Sequence, residues 1–212
     1  MRITVFGAAG NVGSRVVTEA LSRGHEVTAV VRDAARGRGL PAAATVRVGD
    51  ASSTADIAAL STGQDLVISA TRPAPGSEQD LVTTTRALLD GLARTGVRLL
   101  LVGGAGPLTV PGTGGLVLDD PALVPPAWRP IALACTEQLA ACRAADGVDW
   151  TYLSPSALLE PGTRTGSYRL GTDELLVDAH GTSAISMEDL AVALLDEAER
   201  PRHHGQRFTV GY

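Results

Sequence analysis

Three glycines spaced by three stand near the start of the chain, in Gly7-Ala-Ala-Gly-Asn-Val-Gly13. They follow the run "RITVF" and open the apolar-periodic run "NVGSRVVTEALSRG". A glycine loop between a strand and a helix suits one kind of chemistry, the holding of a pyrophosphate. Gly7 permits the tight turn off the strand. Gly10 lets the backbone approach phosphate oxygens with no Cβ in the way, and Gly13 lets the helix pack close to the strand. Ala9, Asn11 and Val12 complete the loop, whose free N–H groups and positive helix end would face the anion. The spacing, at the head of a strand–helix–strand unit, predicts a dinucleotide site.

The residue that ends the second strand selects the dinucleotide. An acid there accepts the ribose hydroxyls of NAD; a base meets the 2′-phosphate of NADP. The run "TAVVR" ends on Arg32, with Arg36 and Arg38 beyond, which points to NADP(H). Asp33 competes for the ribose but also suits a helix N-cap in "DAAR". Further candidates lie where later strands end: Asp50 and Ala51 near the adenine, and Ala70, Thr71 and Arg72 near the ribose and nicotinamide. Gly103 and Gly104 follow the fifth strand, and Ser154 and Pro155 the sixth. Arg72 could instead hold an anionic group of a substrate. Tyr168 and Ser154 are the weak candidates for a catalytic proton donor.

Those residues need a scaffold. Short, nearly all-apolar runs alternate with helical patterns through residue 102, which suits a parallel sheet covered on both faces. The fold class expected is α/β, a Rossmann-type doubly wound parallel sheet with right-handed crossovers. At 212 residues one domain, 1–212, is the natural reading. Its small C-terminal substrate lobe would come mainly from 104–130 and 155–185. Residues 103–130 are rich in Gly and Pro and form a long loop, usually a functional one. "RTGSYRLG" and "DELLVD" look like a short hairpin. "ISMEDLAVALLDEAER" reads as a strand end feeding a helix capped by Ser186, and "QRFTVGY" as a last strand.

Composition narrows the partners. The chain is 44% hydrophobic but only 3% aromatic, so its core must be aliphatic. A net charge of −5 argues against nucleic-acid binding. No stretch approaches a membrane span. Neither a secretory leader nor a disulfide pattern is evident, so the expected location is the cytoplasm. Cys135 and Cys142 sit seven residues apart on one predicted helix, about 10.5 Å along its axis, too far for a disulfide. His203 and His204 are neighbours whose side chains diverge, and no metal site is expected. The Ala-rich helices at 86–94 and 131–145 could face a second copy in a homodimer or simply pack on the sheet.

The chain resembles the atypical short-chain dehydrogenase/reductases, in the NmrA-like NAD(P)H-binding branch that includes small flavin and biliverdin reductases. "GAAGNVG", "GHEVTAVVRD", "GD" at 49–50, "LLLVGGAG" at 99–106 and "ISMEDLAVAL" carry that likeness, which spans essentially the whole chain. It implies NADP held by the glycine loop and Arg32, Asp50 near the adenine, and a nicotinamide over the loops after strands four to six.

One departure matters more than the likeness. Most short-chain dehydrogenases protonate the substrate oxygen with a Tyr-x-x-x-Lys pair. Here the corresponding helix reads "RPIALACTEQLAACRAA", and all 18 basic residues of the chain are arginine. Two functions fit. One is reduction of a small conjugated acceptor such as a flavin or quinone, where solvent can supply the proton. The other is a non-enzymatic NADP(H) sensor acting through a partner protein.

Overall fold

A computed structural model describes residues 1–212. The glycine loop's frame comes first in the chain. β1 (Arg2–Phe6) is buried from Ile3 onward, and α1 (Asn11–Ser22) turns Gly13, Val16, Val17 and Ala20 inward. That spacing of three and four puts one face of the helix on the sheet. Gly24, at φ +80°, ends the helix and returns the chain to β2 (Glu26–Val31).

The alternation continues as expected. β3 (Thr45–Val48) leads to α2 (Thr54–Ser61), then β4 (Leu66–Ser69), α3 (Asp80–Ala93) and β5 (Arg98–Val102). After the long loop come α4 (Arg129–Arg143), β6 (Trp150–Ser154), β7 (Leu158–Glu160) and β8 (Arg169–Gly171). The chain closes with β9 (Ala184–Ser186), α5 (Met187–Glu199) and β10 (Gln206–Gly211). Ser186 caps α5 by accepting from the Asp189 N–H at 3.0 Å.

Eight strands form one sheet in the order β3-β2-β1-β4-β5-β6-β10-β8, with β7 and β9 paired separately. The first seven run parallel, and β8 joins antiparallel. This is the Rossmann-type doubly wound fold. α1 and α5 cover one face, where Ile3, Val5, Val16, Val17, Leu190 and Leu194 meet. α2, α3 and α4 cover the other, around Phe6, Ile57, Leu88, Leu101 and Tyr152. Chain order reverses between β1 and β4, and ligands of open α/β sheets bind at the strand C-termini beside such a switch.

The expected hairpin does not form. Arg169–Gly171 pairs with β10, Leu170 lying opposite Val210. The "DELLVD" run instead reaches the long loop: the Leu175 N–H donates to the Thr109 carbonyl at 2.8 Å, and Leu175 joins Leu108 and Val117 in a small apolar cluster. The open edge of β10 already offers a full row of backbone groups, and pairing with it satisfies β8 without a tight turn. No helix is long and apolar enough to cross a membrane.

Candidate cofactor and substrate site

The glycine loop is built by close approach of backbone. Gly7 sits at φ +76°, and a Cβ there would lie 2.6 Å from the Ala70 carbonyl oxygen and 2.9 Å from the Thr71 nitrogen. The loop after β4 therefore crosses directly against the loop after β1. A Cβ at Gly13 would fall 2.1 Å from the Gly7 carbonyl oxygen. At Gly10 only the Gly7 oxygen comes near, at 3.2 Å, and the outward side is open.

Within this loop the backbone is under-satisfied. Gly10 donates to the Gly7 carbonyl and Ser14 to that of Gly10. The N–H groups of Ala9, Asn11, Val12 and Gly13 have no acceptor in the chain. Gly10, the N-cap, offers no side-chain acceptor, and the first turn of α1 carries no acid. Orphan donors and an uncompensated dipole at the switch point fit a phosphate-bearing ligand.

At the end of β2 the competing readings of Asp33 are separated by geometry. Asp33 Oδ1 accepts from the Ala35 N–H at 2.9 Å, capping a short 3-10 turn over Ala34–Gly39. Arg32, Arg36 and Arg38 are exposed and make no ion pair. Asp50 is held by the Ser52 N–H and hydroxyl at 2.9 and 2.8 Å. These bonds, backbone first, and the nearby Arg32 guanidinium lower its pKa below the ordinary carboxylate value. Arg32 and Asp50 thus lie near each other, just beyond the C-terminal ends of the adjacent strands β2 and β3. Ala51 packs at the rim of the core beneath it.

The glycines after β5 answer to packing as well. A Cβ at Gly103 would collide with the Tyr152 ring, and one at Gly104 would sit 2.7 Å from Cys135 Sγ. Tyr152, fully buried, donates to the Cys135 carbonyl at 2.9 Å, with Gln138 Oε1 at 3.1 Å, and accepts from the Gly104 N–H at 3.3 Å. Burial pushes this phenol well above its usual pKa. Burial also raises the Cys135 thiol to about 12, so it is no nucleophile.

The two candidate donors separate. Ser154 ends β6 fully buried, its Oγ without a partner, next to the buried Pro155. Tyr168 does not stand over the crevice. Its hydroxyl donates to Asp196, which also holds Arg23 at the C-terminal end of α1. That end lies about 18 Å along the helix from the glycine loop, twelve residues at ~1.5 Å each. Burial and then the Asp196 carboxylate raise its pKa above the ordinary value. The register of β8 on β10 sets residue 168 next to the C-terminal end of that strand, and it is the side chain, bonded to Asp196 on α5, that is turned away from the glycine loop.

Other side chains find structural partners. His203 pairs with Glu197 at 2.8 Å and stacks on Phe208, and His204 pairs with Asp149. His25 bonds Glu199 at 2.9 Å. Cys135 and Cys142 are free and buried on α4. Sequence reasoning missed Trp128. It ends a 3-10 turn, Pro126–Trp128, and its ring lies under the Arg72 guanidinium at 5.4 Å. The signal available was a tryptophan among prolines, "VPPAWRP", in a chain with two tryptophans.

A doubly wound sheet with an uncapped glycine loop at its switch point defines a nucleotide-binding α/β protein. Residues 7–201 match the model of the NAD(P)H-binding family, and the chain belongs to that family. It is 40% identical over 212 residues to the uncharacterized protein YwnB of Bacillus subtilis, covering 99% of this chain and 98% of that one. A solved structure of a candidate epimerase from Bacteroides thetaiotaomicron is 40% identical, with a TM-score of 0.91, covering 100% of this chain and 96% of that one. A candidate NADH-flavin reductase from Streptococcus pneumoniae is 32% identical, with a TM-score of 0.88, covering 100% and 99%.

Proposed function

We propose that the protein is an NADPH-dependent reductase of a small conjugated acceptor, of the flavin or quinone class. The observation that carries this is an intact, under-satisfied glycine loop together with the lack of any tyrosine–lysine pair. α4 contributes neither residue, Tyr152 is buried and bonded, and Tyr168 lies at the wrong end of α1. A simple carbonyl, or an epimerase's sugar, needs a positioned acid or base at the oxygen. An electron-poor ring does not, because it can accept hydride on the ring and take its proton from water.

When bound, the reduced nicotinamide supplies the hydride. The chain's own part is to bind and orient. The N–H groups of Ala9, Asn11, Val12 and Gly13 would hold the pyrophosphate. Arg32, with Arg36 and Arg38, would meet the 2′-phosphate, and Asp33 is engaged as a cap. Asp50 and Ala51 would border the adenine. Ala70, Thr71, Gly103, Gly104, Ser154 and Pro155 would wall the nicotinamide and exclude water.

The test is NADPH oxidation, followed at 340 nm, with a panel of flavins and quinones. Turnover of at least one acceptor is expected; tight NADPH binding with no turnover overturns the reading in favour of a sensor. In that case a pull-down with and without NADP would reveal the partner.

A further inference from the structure

We propose that Trp128 and Arg72 together form the recognition platform for the acceptor, and that the platform selects a planar ring bearing an anionic group. The inference rests on the reductase reading for the existence of an acceptor. The platform itself rests on geometry.

Arg72 lies three residues beyond β4, just past the segment that touches Gly7. Trp128 directly precedes α4, whose Ala132 and Cys135 abut Gly106 and Gly104 of the loop after β5. The pair therefore bridges the two walls of the crevice, one from each side. Arg72 comes close enough to act electrostatically on the buried Cys135 thiol.

The tryptophan is unusual for a surface. Trp128 is 56% exposed, whereas Trp150 is 5% exposed. An indole left in water at a crevice mouth offers a stacking face. Its backbone is stiffened by Pro125, Pro126 and Pro130, and Arg129 ties the turn down by donating to the Leu118 carbonyl at 3.0 Å. Arg72, in turn, makes no ion pair or hydrogen bond in the chain; its one specific contact is the indole. A guanidinium held over a ring, with no hydrogen bond of its own, keeps its N–H donors free to seat a phosphate or carboxylate. The open remainder of the indole then receives the planar ring.

Flavin mononucleotide and riboflavin share the ring and differ in the phosphate, so they separate the two roles. Binding of each to NADP⁺-loaded protein is read from flavin fluorescence. Trp128→Ala is expected to weaken both flavins by about tenfold, and Trp128→Phe by no more than about threefold. Arg72→Met is expected to weaken flavin mononucleotide by about tenfold and riboflavin little. In turnover, Trp128→Ala should raise the KM for the acceptor and leave kcat within about twofold. Wild-type affinity of Trp128→Ala for both flavins, or no flavin binding by the wild-type protein, overturns the platform. No NADPH oxidation by the wild-type protein, with flavin binding that still depends on Trp128, overturns the reductase reading alone.

Discussion

A Cβ at residue 103 would lie 2.0 Å from Cζ of Tyr152, so the loop after β5 passes through space that only glycine leaves for that ring. The Tyr152 hydroxyl then joins β6 to α4 and to the Gly104 amide. The tyrosine is a strut under the crevice and not a proton donor in it. Gly103→Ala overpacks a closed site and is expected to cost about 1–3 kcal/mol or more. Tyr152→Phe leaves the Gly104 N–H without its acceptor and should cost about 1–3 kcal/mol. Urea unfolding measures both, and NADPH affinity of Tyr152→Phe should stay near that of the wild-type protein.

The first and third roles in the glycine loop can be told apart from the second. Gly10→Ala meets one backbone atom at 3.2 Å and should leave Tm nearly unchanged. It should nonetheless lower NADPH affinity by at least about tenfold, since the new methyl group occupies the open side. Gly13→Ala places a Cβ 2.1 Å from a carbonyl oxygen and should lower both Tm and affinity. Calorimetric unfolding and fluorescence titration with NADPH distinguish the two outcomes.

Cofactor preference turns on Arg32. Arg32→Ala should reduce the ratio of NADPH to NADH affinity by about tenfold, the order expected for one charge-assisted phosphate contact. NADPH binding by the wild-type protein should also weaken more steeply with salt than NADH binding. Titrations of both nucleotides at two ionic strengths check this, and an unchanged ratio in Arg32→Ala removes the 2′-phosphate assignment.

Tyr168→Phe should leave kcat and the acceptor KM unchanged, because its hydroxyl serves Asp196 far from the glycine loop. The cost should appear in stability, at no more than about 1 kcal/mol. A steady-state assay beside a thermal melt resolves this. A large fall in kcat would return Tyr168 to the chemistry.

Acid should unfold the protein steeply. The Arg164 bond holds the Glu19 carboxyl below its ordinary value, against the opposing pull of burial and with help from Arg23. For Asp189, burial alone would raise the pKa, but bonds from Thr165, Tyr212 and Gly166 more than reverse it. Glu188 and Glu197 are lowered in the same way. Folded-state values below the unfolded ones mean that this stability is fully present above the unfolded carboxylate pKa, about 4. It is lost as pH falls through the lowered folded values. Chemical denaturation from pH 7 to pH 3 should show the decline beginning near pH 4. Glu19→Gln should be less stable at pH 7 and less sensitive to acid.

Much of the frame was legible because its causes are local. Alternating apolar runs predicted the parallel strands and the helices between them, and "GAAGNVG" predicted a strand–turn–helix whose donors stay free. Capping by Asp33 and Ser186 was readable for the same reason, since each bonds a backbone N–H two or three residues on. The reason for Gly103 was not readable, because its cause is a ring 49 residues away in sequence. Trp128 was equally silent, since nothing near it in the chain foretells Arg72.

By itself the sequence determined that a nucleotide loop exists, that a cluster of arginines follows the second strand, and that no lysine can assist a tyrosine. Those properties belong to residue types and short spacings. Only the tertiary structure decided where the Tyr168 hydroxyl goes: β8 pairs with the open edge of β10, and the side chain of the preceding residue then bonds Asp196 on α5. It also decided that Arg72 and Trp128 meet, through the docking of α4 on the loop after β5. Long-range contacts of this kind are set by which edges and faces remain to be buried once the local elements exist, and no short stretch of sequence records that choice.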